Sequence, residues 1–204
     1  MACMNALRPK STSPWSVVAP SSGDLIGRTA QWWLKGSASG YLRLTPPRTR
    51  QGGGRMIVPL DMTDDATAEA VHRLAKHSYA VEAELIGYAA IPGLTETLEE
   101  MRALPLRWLG GFVDNELVAF VGFSKVDDVL DIDRLCVAPS HFRLGFARRL
   151  VEQVLAEGGP AIVSTGADNA PAIELYESMG FRVVDTVVVE GGLRVAQFGH
   201  PGIV

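Results

Sequence analysis

The sequence predicts one α/β domain built on a mixed sheet, and three observations carry that expectation. The chain has 204 residues, 47% of them hydrophobic, which is enough for a single core with a tail. Patterned sequence starts at Met56 and alternates in the order β-α-α-β-β-β-α-β-α-β-β, about seven strands in all. Two aspartate-bearing turns, Asp114-Asn115 and Asp127-Asp128, link three successive strands into a meander, whereas the following strands alternate with helices.

Each element has its own signal. "RMIVPL" is a short apolar strand. Thr63 followed by Asp64 and Asp65 reads as an N-cap with acids in the first turn, where the helix dipole favours them. Ala70, Val71, Leu74 and Ala75 then recur at helical spacing. Beyond Pro92-Gly93, Thr95 is expected to cap a second helix that turns Leu98 and Met101 inward. Residues 107–113, 116–125 and 129–137 read as strands; the middle one is apolar on both faces, as a central strand should be. After Gly145 comes an amphipathic helix, with Leu144, Ala147, Leu150, Val151 and Val154 inward and Arg148, Arg149, Glu152 and Gln153 outward. Residues 161–165 form a buried strand. Asn169 or Asp168 opens the next helix, with Pro171 in its first turn and Gly180 as the closing glycine. "FRVVDTVVV" and "RVAQF" complete the chain as a hairpin about Gly191-Gly192.

Residues 1–55 differ in kind. They hold eight of the 19 basic residues and one acid, a charge of +7, which leaves −11 on the other 149 residues. Rich in Ser, Pro and Gly and without a sustained period, this stretch is expected to be disordered, with at most a helical turn at "TAQWWLKG". A basic, Ser-rich, acid-poor leader suits a targeting segment; an alternative is a biological start at Met56, where the pattern begins at once, and that alternative is favoured.

Several function classes are excluded or disfavoured. No apolar run reaches the roughly 18 to 20 residues of a membrane span, so no membrane partner is expected. Cys3 and Cys136 lie far apart and imply no disulfide framework, which points to a reducing, cytoplasmic compartment. None of the four histidines stands at metal-ligand spacing, and no metal is expected. The acidic domain opposes nucleic-acid binding, which eight basic residues in the leader would support only weakly.

"SHFRLGFARRLVEQVL" carries the first functional signal. A strand feeding a glycine-containing loop and then a helix leaves unpaired N–H groups converging at the helix N-terminus, an anion site suited to a pyrophosphate. Gly145 and Ala147 keep side chains away, while Arg143, Arg148 and Arg149 add positive charge at the rim. On this stretch alone, a tight turn with a solvated basic helix face accounts for the pattern equally well.

The second signal is "DNAPAIELYESMGFRVV". It resembles the later signature of the GNAT superfamily of N-acetyltransferases, with Asn169, Ala172, Tyr176, Gly180 and Phe181 all in register. The earlier loop resembles the family's acetyl-CoA loop, [QR]-x-x-G-x-[GA]: Gly145 and Ala147 fit, but Phe142 stands in the first position, with an arginine displaced to Arg143. The likeness spans Met56 to about Phe198.

The resemblance implies a GNAT-like fold, a mostly antiparallel sheet with helices on both faces. It implies N-acetyl transfer from acetyl-CoA, with no metal, to a primary amine on a small molecule or a protein N-terminus, and it is compatible with a homodimer through the C-terminal strands. Two neighbouring strands, 131–137 and 161–165, would part to admit the pantetheine arm, which would pair with Leu135, Cys136 and Val137. The pyrophosphate would sit on the amides of Arg143, Leu144, Gly145, Phe146, Ala147 and Arg148, and Asn169 and Ala172 would complete the cofactor site. Tyr176 would protonate the departing thiolate, since a tyrosine with an ordinary pKa of about 10 stays protonated at neutral pH. Asp131 and Asp133 are the candidates to take the amine's proton; a solvated strand edge, or a pairing of Asp133 with Arg134, explains them equally well. Tyr79, Glu82 and Glu84 would line an acidic acceptor wall suited to a cationic amine. Cys136 is expected to be a buried small hydrophobe, because no histidine is placed to activate it. The alternative is a catalytically silent acyl-CoA-binding module of the same fold.

Overall fold

A computed structural model describes Ala2–Met4 and residues 55–202; the "TAQWWLKG" turn, and the expected disorder other than at Ala2–Met4, fall outside the described residues. The strands are β1 (Ala2–Met4), β2 (Met56–Pro59), β3 (Arg107–Val113), β4 (Glu116–Val126), β5 (Val129–Val137), β6 (Ala161–Gly166), β7 (Arg182–Val188) and β8 (Arg194–His200). The helices are α1 (Asp65–Ile86), α2 (Pro92–Thr95), α3 (Leu98–Arg102), α4 (Phe146–Leu155) and α5 (Ala170–Ser178).

Seven strands run in the order β2-β3-β4-β5-β6-β8-β7, and β1 adds to β5 off this path. The β5–β6 pairing is parallel and the others are antiparallel, as expected of a mixed, mostly antiparallel sheet. Both meander turns place consecutive residues at positive φ (Asp114 48°, Asn115 67°; Asp127 51°, Asp128 64°), the geometry that matches strand twist in two-residue hairpins.

Alternation along the central strands sorts side chains into two cores. Ala119, Val121, Leu135 and Val137 face Phe146, Leu150 and Val151 of α4 and Ala172 and Tyr176 of α5. Phe120 and Cys136 face Val71, Ala75 and Tyr79 of α1 and Met101 of α3. The helices therefore cover both faces.

Three local expectations shift. Asp64, not Thr63, caps α1: its carboxylate accepts from the Thr67 amide at 2.9 Å, while the Thr63 hydroxyl donates to Asp61. The helix expected to be capped by Thr95 starts two residues later, because Thr97 forms a capping box with Glu100 to open α3, while Thr95 ends α2. In α4 the buried anchor is Phe146, 1% exposed, and Leu144 points outward at 39%.

β5 breaks its own rhythm. Gly122 pairs with Arg134 but Phe123 pairs with Ile132, so Asp133 is an extra residue, a β-bulge. As a result Leu130, Ile132, Leu135 and Val137 all reach the α4–α5 core despite the three-residue step between Ile132 and Leu135. Beyond the bulge the sheet opens. β5 and β6 pair only from Leu130↔Ala161 to Ile132↔Val163, and β6 then continues its pairing with β8.

Candidate active site

The loop before α4 is one end of the site. Gly145 has φ +82° and no side-chain cap, so the first amides of α4 have no acceptor within the helix and none from a capping side chain. A Cβ built on Gly145 meets nothing within 4 Å, so no described atom crowds the space beside the turn. Arg143, Leu144 and Arg148 are exposed around them, and Ala147 is half-buried. The Arg148 guanidinium donates to Ser178 Oγ at 2.7 Å. Arg55, which motif reading did not single out, donates to the Leu144 carbonyl at 2.8 Å and lies over the Phe146 ring.

The parting of β5 from β6 is the second part. Leu135, Cys136 and Val137, the residues proposed from sequence to meet a pantetheine arm, lie on the stretch of β5 released by β6. In this structure, however, β1 takes the released edge, in the register Ala2↔Cys136, Cys3↔Leu135 and Met4↔Arg134. The opening expected between the strands is thus bridged by the start of the chain.

A polar cluster on the α1 side of this parting is the third part. The Arg134 guanidinium, 4% exposed, grips Glu96 with two N–H groups, one at 2.9 Å from Oε1, and its Nε donates to Asp133 at 2.9 Å. Asp133 is therefore ion-paired, the second of the two roles expected of it, and Asp131 is half-buried where β5 still pairs with β6. Asn169, fully buried, caps α5 by accepting from the Ala172 amide at 3.3 Å and donates its Nδ2 to Glu82 Oε1 at 2.7 Å. Burial pushes the Glu82 carboxyl up to about 8 against the pull of that hydrogen bond. Burial likewise raises the Cys136 thiol to about 12, so it stays protonated, as befits a packed apolar side chain.

Tyr176 is fully buried, edge-on to Phe181 at 5.3 Å and tilted against Phe198 at 5.9 Å. Its hydroxyl-bearing ring comes from the helix that Asn169 caps. Glu84 is exposed and does not join the cluster, whereas Tyr79 and Glu82 do.

The Glu82–Asn169 link and the Arg134–Glu96 pair escaped the sequence reading. For Glu82 a signal existed: Ala68, Val71, Ala75, Ser78 and Glu82, spaced three and four apart, are all buried, so the apolar stripe of α1 continues into polar residues. Nothing in the sequence spacing joins Glu96 to Arg134. Among the described residues, no three His, Cys, Asp or Glu are grouped to hold a metal ion, and no helix is long and apolar enough to cross a membrane. A shallow surface pocket around Leu60, Thr67, Ala70 and Leu117 holds no titratable side chain and shares no residue with this site.

Comparison with known proteins finds a family model, a curated relative and solved structures that match this chain. The acetyltransferase (GNAT) family model matches residues 69–181. The UPF0157 protein YqkA of Bacillus subtilis (strain 168) is 33% identical over 146 residues, covering 70% of this chain and 43% of that protein. The chain thus spans less than half the length of this curated relative. The ribosomal-protein-S18-alanine N-acetyltransferase from Escherichia coli superposes with a TM-score of 0.58 at 18% identity, over 74% of this chain and 96% of that one. YncA from Salmonella typhimurium, solved with its cofactor acetyl-CoA, gives 0.57 at 19% identity over 72% and 94%. The PaiA N-acetyltransferase from Thermoplasma acidophilum, in complex with coenzyme A, gives 0.57 at 15% identity over 72% and 99%. At these identities the structural matches establish likeness of fold.

Proposed function

The chain belongs to the acetyltransferase (GNAT) family, and from that premise we propose that it transfers the acetyl group of acetyl-CoA to a primary amine by direct attack in a ternary complex. The observation that carries this reading is the parting of β5 from β6 beyond Ile132 and Val163, with an uncapped helix N-terminus following β5.

The residues present fit the donor. The open Gly145 cradle suits a pyrophosphate, because anions are stabilised by free amides and by the positive end of the helix dipole. In the proposed complex the amides from Arg143 to Arg148 hold the phosphates, with the two arginine side chains adding charge at the rim. Leu135, Cys136 and Val137 offer backbone to the pantetheine arm, and a β5 N–H polarises the reacting carbonyl. Asn169 and Ala172 border the arm at the head of α5. Bound acetyl-CoA supplies an acetyl thioester, and Tyr176 gives its proton to the departing sulfur. Asp131 and Asp133 are the acids on β5 proposed for the amine's proton, Asp133 with its charge already engaged by Arg134. A protonated, buried Cys136 favours direct attack over an acyl-cysteine route. The acceptor class proposed is a small-molecule amine or a protein N-terminus.

β1 lies where the arm would pair, so donor binding on this reading requires Ala2–Met4 to leave the β5 edge. The same strand gives some support to a second reading, a silent acyl-CoA-binding module whose donor edge is covered by its own chain. Calorimetric titration of the full chain with acetyl-CoA, beside Gly145→Glu, tests the donor site. The expected result is saturable binding by the wild type and none by the variant, which places an anion among the phosphate-binding amides. Equal binding by both would refute this location of the phosphates, and no binding by either folded protein would refute the function.

A further inference from the structure

We infer that Glu82 takes the proton from the acceptor's ammonium, with Asn169 as the residue that positions it. This inference rests on the acetyltransferase reading above and names a group on α1 in place of the β5 aspartates.

Glu82 is 2% exposed, and only one of its two carboxylate oxygens is engaged. Oε1 accepts from Asn169, while Oε2 is buried with no hydrogen-bond partner. Leaving a buried carboxylate oxygen without a donor is destabilising, so its retention points to a donor that arrives with a ligand. Tyr79 Oη, on the same face of α1, and Thr165 Oγ1, on the stretch of β6 beyond the parting, are also buried without partners. Three unsatisfied polar atoms on elements flanking the parting suit a ligand that brings several N–H groups, and an ammonium does so. Once deprotonated, the carboxylate also supplies the negative charge that a cationic nitrogen needs.

The alternatives on β5 are less well placed. Asp133 already neutralises Arg134, and Asp131 lies before the parting, where β5 still pairs with β6. Glu82 accepts from the neutral Asn169 amide, and its second oxygen has no hydrogen-bond partner. Asn169, at the head of the helix that carries Tyr176, ties the proposed base to the proposed acid through one capped turn.

The proton balance closes. Glu82 accepts one proton from the ammonium and passes it to solvent. The neutral nitrogen forms the N–C bond as the C–S bond breaks. Tyr176 gives its proton to the departing sulfur and recovers one from the acetylated nitrogen. The net change is an acetylated amine, a free thiol and one released proton.

The charged and titratable groups acting on Glu82 include the chain's α-amino group, whose positive charge opposes the rise caused by burial. Tyr79, from the same helix, is held well above its ordinary range by burial; Cys136 of β5 is raised to about 12; and Asn169 is neutral. Arg134 of β5 is held between Asp133 and Glu96. Of these side chains Glu82 alone is placed to titrate near pH 8.

The test uses the full chain, Glu82→Gln and Glu82→Asp, with acetyl-CoA and two probe amines, an alanine-first tetrapeptide and spermidine. Glu82→Gln should lower kcat by roughly 10²- to 10⁴-fold at pH 7, with acetyl-CoA affinity unchanged by calorimetry. Its rate should climb with pH as solution supplies neutral amine, while the wild type levels off near pH 8 and Glu82→Asp recovers part of the loss. A role confined to structure predicts instead that acetyl-CoA binding falls too and that raising the pH restores nothing.

A melting series without ligand is independent of the acceptor. A carboxyl whose folded pKa is raised contributes stability that is complete below its unfolded value and is lost as pH rises through the folded one. The wild-type midpoint should therefore fall relative to Glu82→Gln between about pH 5 and 8. Parallel melting curves, or full activity in Glu82→Gln, would overturn the inference. Absence of turnover by the wild type with every amine would instead overturn the reading beneath it.

Discussion

The α4 loop and the α1-side polar cluster stand at two ends of one proposed site, and they are built in opposite ways. Arg143, Leu144 and Gly145 are exposed and contiguous in sequence, and no atom crowds the missing Gly145 side chain, so the chemistry of this end is that of backbone amides and a helix dipole. Glu82, Arg134, Cys136 and Asn169 are buried and come from α1, from β5 and from the turn before α5; theirs is the chemistry of desolvated side chains. A phosphate is held by many weak, fixed donors, whereas proton transfer needs a group whose pKa the protein has moved. The open end can therefore be local, but the buried end requires three distant elements to meet.

That contrast can be broken by mutation. The largest effect is expected at the buried end: Glu96→Ala takes one of two carboxylate partners from the Arg134 guanidinium, which is 4% exposed and keeps Asp133, and should cost about 1–3 kcal/mol in chemical denaturation. Arg148→Ala, at the exposed end, should change stability by less than about 0.5 kcal/mol in the same assay, and similar losses in the two would erase the distinction. Tyr176→Phe should lower kcat roughly 100-fold while acetyl-CoA affinity holds, and an unchanged kcat would remove the tyrosine from proton transfer. Gly145→Ala isolates backbone conformation from charge. No atom blocks the added methyl, so the positive φ alone should weaken the turn by about 1–2 kcal/mol, read as a lowered melting midpoint. The smallest effect is expected from deleting Ala2–Met4. Freeing the β5 edge should tighten acetyl-CoA binding a few-fold, and weaker binding would mean that this strand supports the donor rather than competing with it.

Legibility in the sequence followed the same division. The meander was readable because both of its turns are short-range and chemically marked, and the Asn169 cap and Gly180 closure were readable because each lies within one helix length of what it terminates. The caps of α1 and α3 were missed by one or two residues, since Thr63, Asp64, Thr95 and Thr97 are all competent and tertiary placement chooses among them. Phe146 takes the buried place expected of Leu144 for a similar reason: the left-handed Gly145 between them resets the helix phase. The bulge at Asp133 had no local signal, because the extra residue is defined by its partner strand. For the site, Gly145, Ala147, Asn169 and Tyr176 stood out as spaced motifs. The contacts of Glu82 and Arg134 did not, being set by burial across 87 and 38 residues of chain respectively. Pairing between Ala2–Met4 and β5 went against the expectation of a structureless leader and depends on an edge that only the parted sheet provides.

The central claim is that the site moves an acetyl group to an amine, and the most direct measurement incubates the full chain with acetyl-CoA and a panel of primary amines. Free thiol is followed over time, and the acceptor is weighed by mass spectrometry. The account predicts thiol release that depends on both enzyme and amine, with one acetyl group gained per thiol freed. Tight acetyl-CoA binding without thiol release or acceptor modification across the panel would contradict it and leave a silent acyl-CoA-binding module.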